Sequence, residues 1–559
     1  MIPQKQQSLI AQITRAELIF LALAFLAALI LRELMYVRLF PDSIDYLTFA
    51  QNILNGIHHD GNITLARYRR PPLYPHLVAL FSLGTSSPAY LVEVGRQISI
   101  FAGALLILPI YVLGRSMLGR TAGITAVILV AITPEFLYYS GAILTESLAI
   151  LLVFTSMVIL WVACSKKAGN FILFTLGFLL GLAFLSRHLV IGFLAIVLVW
   201  IIFSQIIPLR FKRNKSALIR KAGLQVLMVL TGFFLTVSPQ VLYLHSETGR
   251  WALAIDPMSI SAKNGAKAGE DERYTRAYEA GASLTPDAEL YVWEVKGSPS
   301  LLSTIANHPR QYMKAYIATI LSGYLPDTYP LPYPVIILIL ALVGVIALVR
   351  EKKINELIFC LWGFMGYYLF LALFHNMRDR YMFLAYPVIL IVAGGGASAL
   401  ARLVPKLFKN PQTSRKAGWA TSTAIIVLCV ALLLPASVGL IKEQNAMANI
   451  DLFMRLGNDL SQRIQKHALI FDRTPHLAYF AGGISTSVPY SSIENVIKFG
   501  RNRGVRYWIV SSGYVPWLRP QFKTLLKPSN KYEGLRTVAA YMSDKYRVIV
   551  YEILPEKGG

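Results

Sequence analysis

Long apolar runs separated by short polar connections constrain this chain more than any other feature. A bilayer is crossed by a helix of roughly 17–25 apolar residues. Runs of that order stand near residues 17–36, 95–114, 121–139, 144–164, 171–186, 189–207, 222–243, 332–349, 355–374, 382–400 and 419–439. Arg187-His188 separates the fifth run from the sixth, and the two together are too long for one crossing. A soluble globular chain carries about a quarter charged residues, whereas here 15% are charged and 55% are hydrophobic. The expected fold is therefore mostly α, a polytopic membrane helical bundle of about eleven transmembrane helices.

The formal net charge of +24 would suit a nucleic-acid partner only if it were gathered on one soluble surface. It is spread instead in short clusters between the apolar runs, so no nucleic-acid partner is expected. With the N-terminus in the cytoplasm, every second connection is basic. Lys5 and Arg15, Arg115 and Arg120, Lys166 and Lys167, the run from Arg210 to Lys221, then Arg350, Lys352 and Lys353, and finally Arg402, Lys406, Lys409, Arg415 and Lys416 fall on one side. This is the positive-inside pattern. It puts residues 37–94, 245–331 and the tail from about 441 outside the cytoplasm. The first run lacks a small-residue cleavage site at its far end, so it is expected to stay as a membrane span. Cys164, Cys360 and Cys429 all fall in predicted spans, which leaves no disulfide framework and no cysteine metal site. The protein is expected to be multi-pass in the cell (inner) membrane, with its tail external or periplasmic.

The first external loop is the most informative. Ile44, Leu47, Phe49, Ile53 and Leu54 fit an amphipathic helix that opens just after Pro41-Asp42 and lies along the membrane surface. Asp42 stands at its N-terminus, and Asp45 is three residues on, close to the same face. Asp42 can be a helix N-cap, a role aspartate favours, or a functional carboxylate, and sequence physics leaves both readings standing. Next comes ARYRRPPLYPHL, with Arg67, Arg69 and Arg70 on the side where positive charge is not expected. These arginines can hold lipid head groups or grip the phosphate of a lipid substrate. Pro71 and Pro72 are expected to fix the chain there and prevent a regular helix.

Other charges stand at external helix ends: Arg96, Glu135, Glu146, Arg187-His188, and Arg378, Asp379 and Arg380, the last followed by Tyr381. Charges at such depth are costly and face protein or a cavity. Each alone reads as a snorkelling group or a local ion pair; their convergence on one membrane face points to a site. Loop 245–331, with one amphipathic helix in SLLSTIANHPRQYMKAYIATILSGYL, is expected to cover that site. The tail alternates strand-like HALIFD, VRYWIVSS and YRVIVYEIL with helical SSIENVIKFGRNRG, so it reads as a small α/β domain. The expected division is a membrane domain over 1–440 and an extracytoplasmic α/β domain over 441–559. No Gly-rich phosphate loop, Walker motif or internal repeat is present, which removes an ATP-driven pump.

PDSIDYLTFA followed by RRPPLYP resembles the GT-C superfamily of membrane glycosyltransferases, most closely the branch of aminoarabinose transferases and protein O-mannosyltransferases. In that family the loop reads Asp-Glu-x-x-Tyr-x-x-x-Ala and, later, a basic residue before Pro-Pro. Asp42, Tyr46, Ala50 and Arg70 match. LTESL around Glu146, LSRHLVI at Arg187 and RDRYMFLAYP at Arg380-Tyr381 are similar to further family positions, as are HPRQYMKAYIATIL and the tail segments AYFAGG and GVRYWIV. Ser43 departs from the family, standing where the second acid is usual; Asp45 can compensate from a different angle on the helix.

The resemblance implies a polyprenyl-phosphate-linked sugar as donor, membrane lipids around it, and a lipid, glycan or protein acceptor on the external face. It implies an inverting transfer with Asp42 as general base and Glu146 or Asp45 as second carboxylates. Tyr46, Arg67, Arg69, Arg70, Arg96, Arg187, Arg380 and Tyr381 would bind substrate. No cofactor is certain, and a divalent metal ion stays open as one. The rivals are a lipid-linked glycan ligase or polymerase, a flippase or transporter, and a non-catalytic assembly component. A transporter calls for inverted repeats and matched broken helices, and the sequence shows neither.

Overall fold

A computed structural model describes residues 13–35, 39–59, 70–165, 169–206, 215–254, 282–292, 301–322, 335–374, 379–404, 411–447, 450–473, 475–542 and 546–556. Arg67, Arg69, Lys166, Lys167, Arg378 and most of loop 245–331 lie outside the described residues.

Where its residues are described, each apolar run read from the sequence is mainly helical. The first half comprises α1 (Arg15–Glu33), α2 (Pro41–Leu54), α3 (Leu73–Phe81), α4 (Pro88–Leu105), α5 (Ile107–Leu118), α6 (Arg120–Ile132), α7 (Pro134–Gly141), α8 (Glu146–Ser165), α9 (Asn170–Ser186), α10 (Ile191–Ile206) and α11 (Lys215–Thr248). Long helices follow at Val335–Arg350, Ile354–Leu373, Tyr386–Leu403 and Pro411–Met447. Among the described residues, six helices are long and apolar enough to cross a membrane, or up to seven if the bent pair α6–α7 is one span. That pair bends by 53° because Pro134 opens α7 directly after Thr133. The last long helix runs on to Met447, past residue 440.

Small residues set how closely these helices approach, as is usual in membrane bundles. A Cβ on Gly177 of α9 would lie 1.9 Å from the Val229 carbonyl oxygen of α11, and one on Gly396 would lie 1.9 Å from the Leu340 oxygen. Backbone atoms cannot yield as a side-chain tip can. Gly177→Ala is therefore expected to lower stability by roughly 2 kcal/mol, the scale of core overpacking, seen as a lower thermal midpoint in lipid nanodiscs. Gly223→Ala, on the same helix pair but with open space around it, is the control and should not fall.

Three local expectations are corrected. Asp42 is not the N-cap of α2: Phe40 takes that position, and Ser43, fully buried, accepts its backbone N–H at 3.0 Å. Pro71 and Pro72 do not prevent a helix but lead into one, since α3 begins at Leu73; proline is tolerated where a helix begins because its missing N–H would lack a partner there anyway. The single amphipathic helix expected after residue 300 is two, Leu301–Asn307 and Pro309–Ser322, broken at His308 before the proline.

Helix Ile450–Ser461 leads into a five-stranded sheet of order β2-β1-β3-β5-β4, formed by β1 (Leu469–Phe471), β2 (Ile484–Thr486), β3 (Val505–Ser511), β4 (Leu535–Met542) and β5 (Arg547–Ile553). The first three strands are parallel, and β5 pairs antiparallel with β3 and β4. Alternation sends Trp508 and Val510 of β3 into one apolar cluster and Tyr507 and Ile509 into the other. Strands β1, β3 and β5 were legible in the sequence; β2 and β4 were not. Ile44, Leu47, Tyr74 and Leu91 share one apolar cluster with Ile450, Tyr479 and Phe480. His476 Nε2, 3.2 Å from the Leu39 carbonyl oxygen, donates to it. The tail segment thus packs on the start of the helix that carries Asp42.

Candidate active site

The first turn of α2 presents Asp42 and, one turn later, Asp45, and both carboxylates receive Arg70. Arg70 Nε donates to Asp45 Oδ2 at 2.9 Å, and its Nη2 pairs with Asp45 and Asp42 together. The neighbouring helix fixes this arginine. Tyr74, fully buried, donates to the Gly95 carbonyl at 2.6 Å and lies 2.8 Å from the Ser99 hydroxyl. Its ring meets Tyr46 edge-on at 5.7 Å, and the Tyr46 ring in turn lies 5.4 Å under the Arg70 guanidinium, within cation–π range. Burial disfavours the charge on Arg70, but Asp45 and Asp42 outweigh it and hold its pKa above the ordinary arginine value.

A second arginine continues the pattern. Arg380, just before the final turn into helix Tyr386–Leu403, pairs through Nη1 with Asp42 and through Nε with Glu146. Glu146 opens α8 and also takes Arg187 Nη1 at 2.9 Å. Arg187 occupies the extended residue between α9 and the next short turn (φ −155°, ψ 114°). There its side chain stacks over Tyr381 at 5.2 Å and reaches the Thr145 hydroxyl at 3.4 Å. Six side chains therefore form one line of alternating charge: Asp45, Arg70, Asp42, Arg380, Glu146, Arg187.

Exposure is graded along the line. Asp42 and Asp45 have side chains 26% and 24% exposed, while Glu146 is wholly buried. Glu146 Oε2 and Arg187 Nε are buried without a hydrogen-bond partner. Such groups cost free energy unless a ligand or water satisfies them. The open end suits an incoming acceptor, and the closed end suits a group that must be shielded from water.

The predicted residues Asp42, Asp45, Tyr46, Arg70, Glu146, Arg187, Arg380 and Tyr381 are thus brought together from five separate stretches of chain. Arg96 is not with them. It pairs with Glu33 and Glu93 at the end of α1 and the start of α4. Thr145 is a contact of Arg187 that the sequence reading passed over, although it directly precedes Glu146. As for a metal, among the described residues no group of three His, Cys, Asp or Glu could hold an ion, and Asp42 and Asp45 share one arginine instead.

The fold and the site define a class, a membrane helical bundle with a line of arginines and carboxylates at its helix ends and a small α/β tail. Comparison with known proteins narrows it. The family described as dolichyl-phosphate-mannose-protein mannosyltransferase matches residues 69–238, a block that holds Arg70, Glu146 and Arg187. ArnT from Cupriavidus metallidurans in the apo state has a TM-score of 0.56 at 11% identity, covering 96% of this chain and 97% of that one. The same protein bound to undecaprenyl phosphate has a TM-score of 0.55 at 10% identity, covering 97% and 98%. The archaeal oligosaccharyltransferase AglB from Archaeoglobus fulgidus, in complex with an inhibitory peptide and a dolichol-phosphate, has a TM-score of 0.54 at 13% identity, covering 89% of this chain and 69% of that one. No curated protein matches the chain by sequence. The resemblance to the GT-C membrane glycosyltransferases therefore holds both in fold and in a family-specific block of sequence.

Proposed function

We propose that this protein transfers a sugar from a polyprenyl-phosphate donor to a lipid, glycan or protein acceptor at the external membrane face, with inversion at the anomeric carbon. The observation that carries the reading is the alternating line of three arginines and three carboxylates, open at Asp42 and closed at Glu146. The polyprenyl phosphates bound by the structural neighbours ArnT and AglB support the choice of donor. In this reading about eleven helices cross the membrane, residues 1–440 form the membrane domain, and residues 441–559 form an α/β domain outside the cytoplasm.

The mechanism follows from the charges. Arg70 and Arg380 are held by carboxylates until a donor arrives. The donor phosphate then competes for the same guanidinium forks, which bind phosphate and carboxylate by the same bidentate geometry. As Arg70 and Arg380 turn to the phosphate, Asp42 is released to accept a proton from the acceptor O–H or N–H. The acceptor's lone pair forms the new bond at the anomeric carbon while the carbon–oxygen bond to phosphate breaks. The electron pair leaves on the phosphate, where the arginines stabilise it by about 3 kcal/mol per good contact. The phosphate needs no proton to leave, so one base suffices. Arg187, fixed by Glu146 and Tyr381, would hold the deeper part of the donor.

In this reading Arg70 takes the position that a divalent ion would need between Asp42 and Asp45, and among the described residues no third acid, histidine or cysteine joins them. Turnover is therefore expected to stay within about twofold after EDTA treatment, well short of the several kcal/mol that a Lewis-acid metal supplies. Loss of activity restored by Mg²⁺ or Mn²⁺ would count against this part of the reading.

The direct test uses purified protein in lipid, a panel of radiolabelled polyprenyl-phosphate sugars and a membrane extract from the source organism as acceptor. Release of free polyprenyl phosphate with label moved into the extract is the expected result. Donor binding with no release from any member of the panel would shift the assignment to transport or assembly.

A further inference from the structure

His188 stands beside the ion line and takes no part in it. It opens the short turn His188–Val190, which joins α9 to α10 directly after Arg187. Its ring lies against Phe184 at 5.1 Å. The residue is half-buried rather than sealed in. Among the described residues its ring makes no hydrogen bond and no ion pair. It is therefore a polar group that a ligand can still reach, unlike the buried Arg187 Nε next to it.

Two guanidiniums act on this ring: Arg187 from its own turn, and Arg70 from the segment before α3. They are the last and the second members of the line. The line thus bends back on itself, and both members come within electrostatic reach of His188. Glu146 likewise acts on Tyr74, which lies behind Arg70. The packing of α3 on α9 brings the Arg70 segment to this turn. The helices against the turn, α9 and α10, carry no titratable side chain, so neither supplies the ring with a carboxylate. Burial first, and then Arg187 and Arg70, push the His188 pKa down to about 4. At neutral pH the ring is uncharged, with one N–H donor and one acceptor nitrogen.

A neutral imidazole beside two guanidiniums offers a further donor to an anion without adding a third positive charge to the empty site. We propose that His188 is a phosphate-binding residue of this site, its ring N–H donating to a polyprenyl phosphate shared with Arg70 and Arg187. This role rests on the proposed transfer from a polyprenyl-phosphate donor and adds a residue to it. The bound phosphate supplies the negative charge that the ring lacks, and so favours the imidazolium. The effect is greatest for the released carrier. The sugar-linked donor is a phosphodiester with a single negative charge, whereas the free carrier is a monoester approaching two. His188 then takes a proton from solvent as the free carrier is held. A group whose pKa is higher in the complex than in the free protein strengthens binding below the bound-state value, and that contribution is lost as pH rises through it.

The test is binding of undecaprenyl phosphate to the full-length protein in nanodiscs, at about pH 6 and about pH 8.5, on either side of the ordinary histidine and phosphate-monoester values. Wild type is compared with His188→Phe and His188→Gln. The phenyl ring keeps the contact with Phe184 and has no nitrogen; the amide keeps an N–H donor and takes no proton. The carrier's own phosphate titrates in all three, so the ratio of each variant to wild type carries the answer. His188→Phe should bind roughly tenfold more weakly at the lower pH, the loss of a charge-assisted hydrogen bond, and about threefold more weakly at the higher pH, the loss of a neutral one. His188→Gln should fall about fivefold behind at the lower pH and stay within about twofold at the higher. Either variant alone decides the matter should the other fail to fold. Affinities equal to wild type, or ratios that do not change with pH, would overturn this role and leave the donor reading standing. A wild-type protein that binds no undecaprenyl phosphate would overturn both.

Discussion

Asp42→Asn is expected to lower kcat by about 10²- to 10⁴-fold, the contribution of a positioned general base, while leaving donor binding intact or tighter. Both halves of that expectation come from the same two ion pairs. Asp42 is the carboxylate shared by Arg70 and Arg380, so neutralising it removes the proton acceptor and, at the same time, a competitor for both guanidiniums. A donor phosphate would then meet less opposition. Single-turnover release of polyprenyl phosphate gives the first quantity, and direct binding of undecaprenyl phosphate gives the second. Asp45→Asn should behave differently, because Asp45 touches only Arg70 in the line and Asp42 still holds that arginine. Its expected effect is a change in donor affinity with kcat within about tenfold, the effect of losing one charge-assisted contact. Retention of full turnover by Asp42→Asn would remove it as the base and leave Glu146, whose burial makes access by an acceptor harder to explain.

Much of this arrangement was legible in the sequence, and the reasons are physical. A membrane span is a long apolar run, so the long helices left a readable trace, whereas the nine-residue α3 behind Pro71 and Pro72 did not. Charges at the ends of such runs are expensive, which singled out Glu146, Arg187 and Arg380, while Asp42 and Arg70 stood out in the first external loop. What the sequence did not carry was who pairs with whom. Arg96 looked equivalent to Arg187 as an arginine at a helix end, yet it pairs with Glu33 and Glu93. Those acids sit on one neighbouring turn of its own helix and on the end of α1, and only the packing of α1 on α4 reveals the second. The role of Ser43 was hidden for a similar reason. It stands where relatives carry an acid, and its use as a partner for the Phe40 N–H depends on the chain turning at Pro41. Strand β2, three residues long, and strand β4, whose register shifts between Thr537 and Ala539, were too weakly patterned to separate from loop.

Arg380 should show the second large effect, because it alone joins the open and closed ends of the line. Arg380→Ala leaves Glu146, wholly buried, with Arg187 as its remaining ion-pair partner in the line, and leaves Asp42 with Arg70 as its remaining partner there. Breaking a buried ion pair costs about 3–5 kcal/mol; with Arg380 itself 23% exposed, water moderates this, and roughly 2–3 kcal/mol is the expected loss of stability. Turnover should fall by about 10³-fold as a cation facing the leaving phosphate disappears. Two further variants separate the causes. Arg380→Ala with Asp45→Asn removes the surplus negative charge around Arg70 and leaves Glu146 paired with Arg187, so the thermal midpoint in nanodiscs should recover while turnover stays low. Arg380→Lys keeps the charge but offers a single ammonium where a planar fork bridges two carboxylates; it should fold and still lose about 10-fold or more in kcat. If turnover returned together with stability in the double variant, Arg380 would be a strut of the bundle and the leaving phosphate would have to be held by Arg70 and Arg187 alone.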